Sequence, residues 1–182
     1  GRHRAVHTAM LTLVIGGAAS GKSAFAESLC MQSPLPRTYL ATMQVWDAEC
    51  AARVARHRAM RQQKQFATVE CPRGLEAIAL PQRGTVLLED IGNLAANELY
   101  DPAGAGEAAA DAVLRGIEAL RAQCEELILV TNEVFSGGTA YAGDTERYLR
   151  TLAKINNAAA QRADTVVRVV CGIPVYYKGT KR

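Results

Sequence analysis

Aromatic rings are scarce in this chain, at 5% of 182 residues, too few for the stacking platforms that grip single-stranded nucleic acid. A basic surface is missing as well. The formal charge is +3, but Arg2 and Arg4 lie in the first nine residues, and setting those two aside leaves 19 of the 21 basic side chains against 18 acidic ones. That balance excludes nucleic acid as the main partner. No apolar run reaches membrane-spanning length, and Leu11 to Ala19 is interrupted by glycines. There is no Cys-x-x-Cys pair. The five cysteines are odd in number and widely spaced, which predicts small buried residues in a reducing cytoplasm rather than disulfides or zinc ligands. Histidine is nearly absent too. Of three histidines, His3 and His7 fall in the leading segment Gly1 to Ala9. That segment lacks acids and an apolar stretch, so it reads as an expression scar or disordered extension before Met10, not a signal peptide. His57 is then the one imidazole in a folded domain spanning residues 10–182.

What is present is informative. Hydrophobic residues make up 49% of the chain and charged residues 21%, enough for one domain with a sizeable core. Residues Gly16 to Ser23 read G-G-A-A-S-G-K-S, a full match to the G-x-x-x-x-G-K-[ST] phosphate-binding loop. A β-branched apolar strand, Leu11 to Ile15, precedes it and helix-forming sequence follows from Ala24, the context in which that pattern has meaning. Gly16, Gly17 and Gly21 let backbone N–H groups approach phosphate oxygens, Ala18, Ala19 and Ser20 complete the cradle, and the new helix directs its positive end there. Lys22 reaches the β- and γ-phosphates and the Ser23 hydroxyl ligates Mg²⁺. The chain is expected to bind a nucleoside triphosphate.

Short apolar strands alternate with helical stretches throughout. Thr38 to Thr42 reads as a strand, Asp47 as the N-cap of a helix to about Gln63, Ala67 to Glu70 as a weak strand, and Leu75 to Leu80 as a short helix. Thr85 to Glu89 and Leu127 to Asn132 read as strands buried on both faces. The next helices are predicted at Ala108 to Cys124 and Asp144 to Arg162, where Tyr148, Leu149, Leu152, Ile155 and Ala159 share a face. Thr165 to Cys171 and Ile173 to Lys178 close the chain as an antiparallel pair through Gly172. Tyr100 to Gly106 and Ser136 to Gly143 read as Gly-rich loops. The alternation predicts a doubly wound α/β sheet with right-handed crossovers, its ligands at the carboxyl ends of the strands.

Two further features bear on chemistry. Glu89 and Asp90 end an apolar strand, where a nucleotidase places the acid that holds Mg²⁺; Asn132 and Glu133 end a neighbouring strand at the same edge. Glu49, Arg53, His57 and Arg61 recur every four residues along one helix. A solvated, salt-bridged face is the plain reading of that pattern. Against it stand four arginines, Arg53, Arg56, Arg58 and Arg61, around the lone histidine, a composition suited to phosphate binding, with a neutral imidazole as a competent nucleophile.

With these residues the chain resembles the bifunctional adenosylcobinamide kinase/adenosylcobinamide-phosphate guanylyltransferase family of cobalamin biosynthesis, over Met10 to Lys178. The matching segments are Gly16 to Ser23; Tyr39 to Thr42 (Y-[IL]-A-T); and Asp47, Glu49, Arg53, Val54 and His57 (D-x-E-x-x-x-R-[IV]-x-x-H). They continue with Thr68 and Glu70; Glu89 with Asn97; Thr131 to Val134 (T-N-E-V); and Gly172, Ile173, Pro174 and Lys178. The resemblance implies a P-loop (RecA-like), mostly parallel sheet with an antiparallel C-terminal edge. It implies that His57 attacks the α-phosphorus of GTP and carries GMP as a phosphoramidate to adenosylcobinamide phosphate, after a kinase step on the cobinamide hydroxyl using GTP or ATP. Lys22 and Ser23 with Mg²⁺ would serve both steps. Arg53, Arg61, Glu70, Glu89, Asn132 and Glu133 would line the nucleotide site, with Ser23 and Glu89 on the metal. A homo-oligomer is implied as well, with a trimer suggested by the family. The departures cluster at Phe135 to Gly143, at Tyr148-Leu149-Arg150 and at Arg61-Gln62. They keep two alternatives open: a related kinase or nucleotidyltransferase acting on another acceptor, and a nucleotide-binding regulator without turnover.

Overall fold

The computed structural model describes residues 8–33, 36–44, 48–134 and 145–179. Seven strands form one sheet in the order β3-β2-β4-β5-β1-β6-β7: β1 (Met10–Gly16), β2 (Arg37–Ala41), β3 (Phe66–Glu70), β4 (Thr85–Glu89), β5 (Glu126–Asn132), β6 (Thr165–Val170) and β7 (Ile173–Lys178). All neighbours run parallel except β6 and β7. The predicted doubly wound sheet with an antiparallel C-terminal edge is thus the architecture found. The β6–β7 connection is two residues, Cys171 (φ 50°) and Gly172 (φ 78°), as a tight hairpin turn with positive φ at both central positions requires.

Strand alternation divides the core. Leu11, Leu13 and Ile15 of β1 join Leu88 and Leu129 on one face, under α3 (Ile91–Tyr100), α4 (Ala109–Arg121) and α5 (Thr145–Arg162). Val14, Leu87, Ile128 and Val130 join Ala26, Leu29 and Cys30 of α1 (Lys22–Met31) on the other. The remaining helix, α2 (Ala48–Gln63), buries only Cys50 and Arg61 and packs against the edge strand β3.

Four readings need correction. Helix α3 lies where no element was assigned: Asp90 caps it by accepting from the Asn93 N–H at 2.6 Å, while Gly92, Asn93 and Asn97 dilute its helical signal. The helix expected over Leu75 to Leu80 is one 3-10 turn, Leu75–Ala77, because Ile78 is already extended (ψ 131°) and Pro81 follows Leu80. Cys171 is exposed, since the hairpin turn holds it outside the core. The other four cysteines are buried as predicted, and burial pushes the Cys30 and Cys124 thiols up to about 12. Finally, Ala9 is buried and its N–H donates to the Arg121 carbonyl at 2.9 Å, so ordered packing starts before Met10. Asp47, the loop Ser136 to Gly143 and residues 1–7 lie outside the described residues.

Candidate active site

Parallel pairing brings the strand ends level. Gly16 pairs with Asn132, and Ala41 with both Glu70 and Glu89. The loops after β1, β2, β3 and β4 therefore meet at one edge of the sheet. There they enclose a cleft of about 610 Å³ lined by Lys22, Ser23, Tyr39, His57, Arg61, Glu70, Glu89 and Asp90 among others.

The phosphate-binding loop is shaped by close approach. A Cβ at Gly16 would fall 2.3 Å from the Ser20 hydroxyl oxygen, and Gly21 sits at φ 89° with the Gly172 backbone 3.2 Å from where its Cβ would be. Ala19 also has positive φ, at 56°. The hairpin turn braces the loop, the Gly172 N–H donating to the Ser20 carbonyl at 2.7 Å. Gly17, by contrast, has open space beside it. Ala18 and Ala19 are exposed, as is Ser23, while Lys22 is half-buried with its Nζ donating to the Gly17 carbonyl at 3.1 Å.

The acid is held from β2. The Tyr39 hydroxyl donates to Glu89 Oε2. Thr42 Oγ1 accepts from the Asp90 N–H at 2.8 Å and reaches the Glu89 and Asp90 carbonyls. Asn97 Nδ2 donates to the carbonyls of Thr42 and Pro72, at 2.8 and 3.0 Å, joining the ends of β2 and β3. Burial raises the Asp90 carboxyl above the usual carboxylate range. Glu89 Oε1 and Ser20 Oγ are buried with no hydrogen-bond partner among the described residues. Glu89 lines the cleft, where a bound polar ligand would satisfy its free Oε1.

Ser23 and Glu89 offer hard oxygen donors. Among the described residues no group of three or more His, Cys, Asp or Glu side chains is placed to hold a metal ion. A hydroxyl and a carboxylate would suit a Mg²⁺ shared with substrate phosphates and water, the usual way that ion is held.

Helix α2 departs from the expected face. Val54, His57 and Arg61 line the cleft, whereas Glu49 and Arg53 do not. A stride of four overshoots the 3.6-residue turn by about 40° each time, so the row drifts around the helix. The arginine cluster is also divided. Arg58 pairs with Glu70. Arg61, only 7% exposed, lays its guanidinium over the Tyr39 ring at 3.6 Å. Arg53 and Arg56 are exposed.

Asn132 and Glu133 end β5 as expected but do not line this cleft. Glu133 pairs with Arg168 beside a separate cavity that includes Ile15 and Tyr177. Asn132 directs its amide to the start of α3, where a Cβ at Gly92 would lie 2.8 Å from its Nδ2. Asn156, fully buried and unread in the sequence, explains the T-N-E-V segment. It accepts from the Thr131 hydroxyl at 2.7 Å and donates to the Asn132 and Val134 carbonyls at 3.0 and 2.9 Å. A lone polar residue on the buried face of a helix was the available signal. The far wall of the cleft (Gln44, Arg73, Asn93, Asp101) was not anticipated either.

Comparison with known proteins yields four findings. Residues 12–177 match the model of a family described as cobinamide kinase / cobinamide phosphate guanyltransferase. The chain is 36% identical over 184 residues to the bifunctional adenosylcobalamin biosynthesis protein CobU of Salmonella typhimurium, covering 93% of this chain and 100% of the relative. It is 33% identical over 174 residues to the bifunctional adenosylcobalamin biosynthesis protein CobP of Pseudomonas aeruginosa, covering 93% and 98%. In fold it is similar to the flagellar accessory protein FlaH of Methanocaldococcus jannaschii, with a TM-score of 0.53 at 13% identity over 97% of this chain and 84% of the other.

Proposed function

Because the chain belongs to the cobinamide kinase / cobinamide phosphate guanyltransferase family, we propose that it carries both reactions through the cleft just described. In the kinase step the acceptor hydroxyl oxygen attacks the γ-phosphorus of GTP or ATP. The β–γ bond breaks, the nucleoside diphosphate leaves and the hydroxyl proton is lost to water. In the second step an imidazole nitrogen of His57 attacks the α-phosphorus of GTP and pyrophosphate leaves. A phosphate oxygen of the acceptor then displaces the imidazole, forming a new phosphoanhydride.

The observation that carries this reading is the placement of His57 in one cleft with Lys22, Ser23 and Glu89. The residues of Gly16 to Ser23 hold the phosphates, and Lys22 balances the charge that develops on them. Glu70 and Arg61 border the same space from β3 and α2. Arg53, Asn132 and Glu133 would contribute only after a rearrangement of their surroundings. Mg²⁺, held by Ser23 and Glu89, would supply charge neutralisation at the phosphates. Tyr39 orients Glu89, and α2 presents His57 on the wall of the cleft.

We further infer a homo-oligomer, a trimer by the family resemblance. The edge strand β7 supports it, exposing Ile173, Val175 and Tyr177 on alternate positions at 64%, 44% and 62%.

Incubation with GTP and Mg²⁺ tests the covalent step. The intact mass should rise by one GMP, and His57→Asn should abolish the rise. An adduct that persists in that variant, or maps to a lysine, would overturn the histidine route.

A further inference from the structure

The cleft is lined by four cationic or titratable nitrogen groups (Lys22, His57, Arg61 and Arg73) and four acids, Glu70, Glu89, Asp90 and Asp101. Lys22 belongs to the phosphate loop and His57 to the covalent step, while Arg61 is held on the Tyr39 ring with its Nε buried and unpartnered among the described residues. Arg73 has no such employment. Its one ion pair among the described residues is to Asp101 Oδ2 at 3.7 Å, longer than a hydrogen bond. Asp101 is already engaged: Oδ1 accepts from the Ala103 N–H at 2.8 Å and Oδ2 from Gln44 Nε2 at 2.9 Å. The acid thus steadies the guanidinium while most of its five donors stay uncommitted. The Arg73 side chain is 32% exposed.

Its mounting is firm. Arg73 follows β3 in a turn fixed on both sides, with the Pro72 carbonyl accepting from Asn97 at 3.0 Å and the Gly74 N–H donating to Glu98 Oε2 at 3.0 Å. Glu98 is itself buried, at 5% exposure. Gly74 adopts φ 68° and Leu75 is packed into the core. A cation on so restrained a turn is preorganised for an anion rather than a roaming surface charge.

Position says which anion. The phosphate loop follows β1, four places along the sheet from β3, roughly 19 Å at the usual strand spacing. Arg73 lies instead at the end where α2, with His57, packs on β3. The acceptor phosphate has to come to His57 to take over the GMP it carries, and so arrives at the end of the cleft where Arg73 lies. The two acceptors in the family's description, cobinamide and cobinamide phosphate, differ by one phosphate group. We propose that Arg73 recognises the phosphate monoester of the second-step acceptor and so distinguishes it from the unphosphorylated alcohol of the first step. This rests on the two-step reading above. The planar guanidinium can grip two phosphate oxygens at once, which a lysine cannot reproduce.

Calorimetric titration of adenosylcobinamide and adenosylcobinamide phosphate into the protein, without nucleotide, tests this independently of turnover. The wild type should bind the phosphorylated form about 10- to 100-fold more tightly, as expected for charge-assisted hydrogen bonds. Arg73→Ala should erase that preference and Arg73→Lys should restore part of it, all three retaining the same melting temperature within a few degrees. Covalent labelling of Arg73→Ala by GTP should proceed at the wild-type rate within about twofold. A wild type without preference for the phosphorylated form, or an Arg73→Ala variant that keeps it, overturns the proposal. So does labelling by GTP that slows as much as acceptor binding weakens, which would assign Arg73 to the nucleotide. Loss of labelling in the wild type would instead strike the histidine route and leave the binding comparison standing.

Discussion

At the scale of single residues, chemistry and stability separate cleanly at Lys22. Its Nζ makes one hydrogen bond, to the Gly17 carbonyl, a contribution of about 1 kcal/mol. Lys22→Ala should therefore melt within a few degrees of the wild type. Turnover of GTP should fall at least 10²- to 10³-fold, the usual cost of removing a preorganised charge from a transition state. Steady-state rates beside thermal scans check both halves, and near-normal turnover in a well-folded variant would dismiss the phosphate-loop reading. Residue type alone made Lys22, Ser23 and His57 legible in the sequence, because each belongs to a motif or is unique. The arginines misled for a physical reason. Sequence does not show which guanidinium is consumed by packing, as Arg61 is on Tyr39 and Arg58 on Glu70. Arg73 stands alone in its segment and gave no pattern to read.

Among the elements, buried strands were the clearest. Thr85–Glu89 and Ile173–Lys178 match their predicted bounds, since continuous or alternating apolar runs end abruptly at Gly, Pro or acidic residues. Helix α3 was not legible because its caps and packing, not its propensity, make it a helix. A different kind of information hides in α4. Gly116 is buried there, and a Cβ on it would lie 2.6, 2.7 and 2.8 Å from three side-chain atoms of Leu75. Gly116→Ala should lose more to that clash than it gains in helix propensity, a net of about 1–2 kcal/mol. The melting temperature should drop by roughly 2–8 °C for a domain of this size. A rise would mean that the Leu75 turn yields, and with it the restraint on Arg73.

For the whole molecule, the alternation of strands and helices foretold the layered sheet, but the order of its strands and the exposed face of β7 emerged only in three dimensions. Light scattering should give a particle of three times the 19.5 kDa chain mass, and Ile173→Lys should shift it toward single chains; a wild type of one chain mass would end the oligomer proposal. The arrangement also bears on how the protein is made. Strand β1 pairs with β5 and β6, and the phosphate loop leans on Gly172, so the first strand waits for partners encoded near the other end of the message. At about 5–20 residues per second, the ribosome needs roughly 8 to 30 s between adding Ser20 and Gly172. Throughout that interval the nascent chain carries its nucleotide motif without the hairpin that braces it, and a guanine nucleotide finds a finished cradle only once translation has reached the final strands.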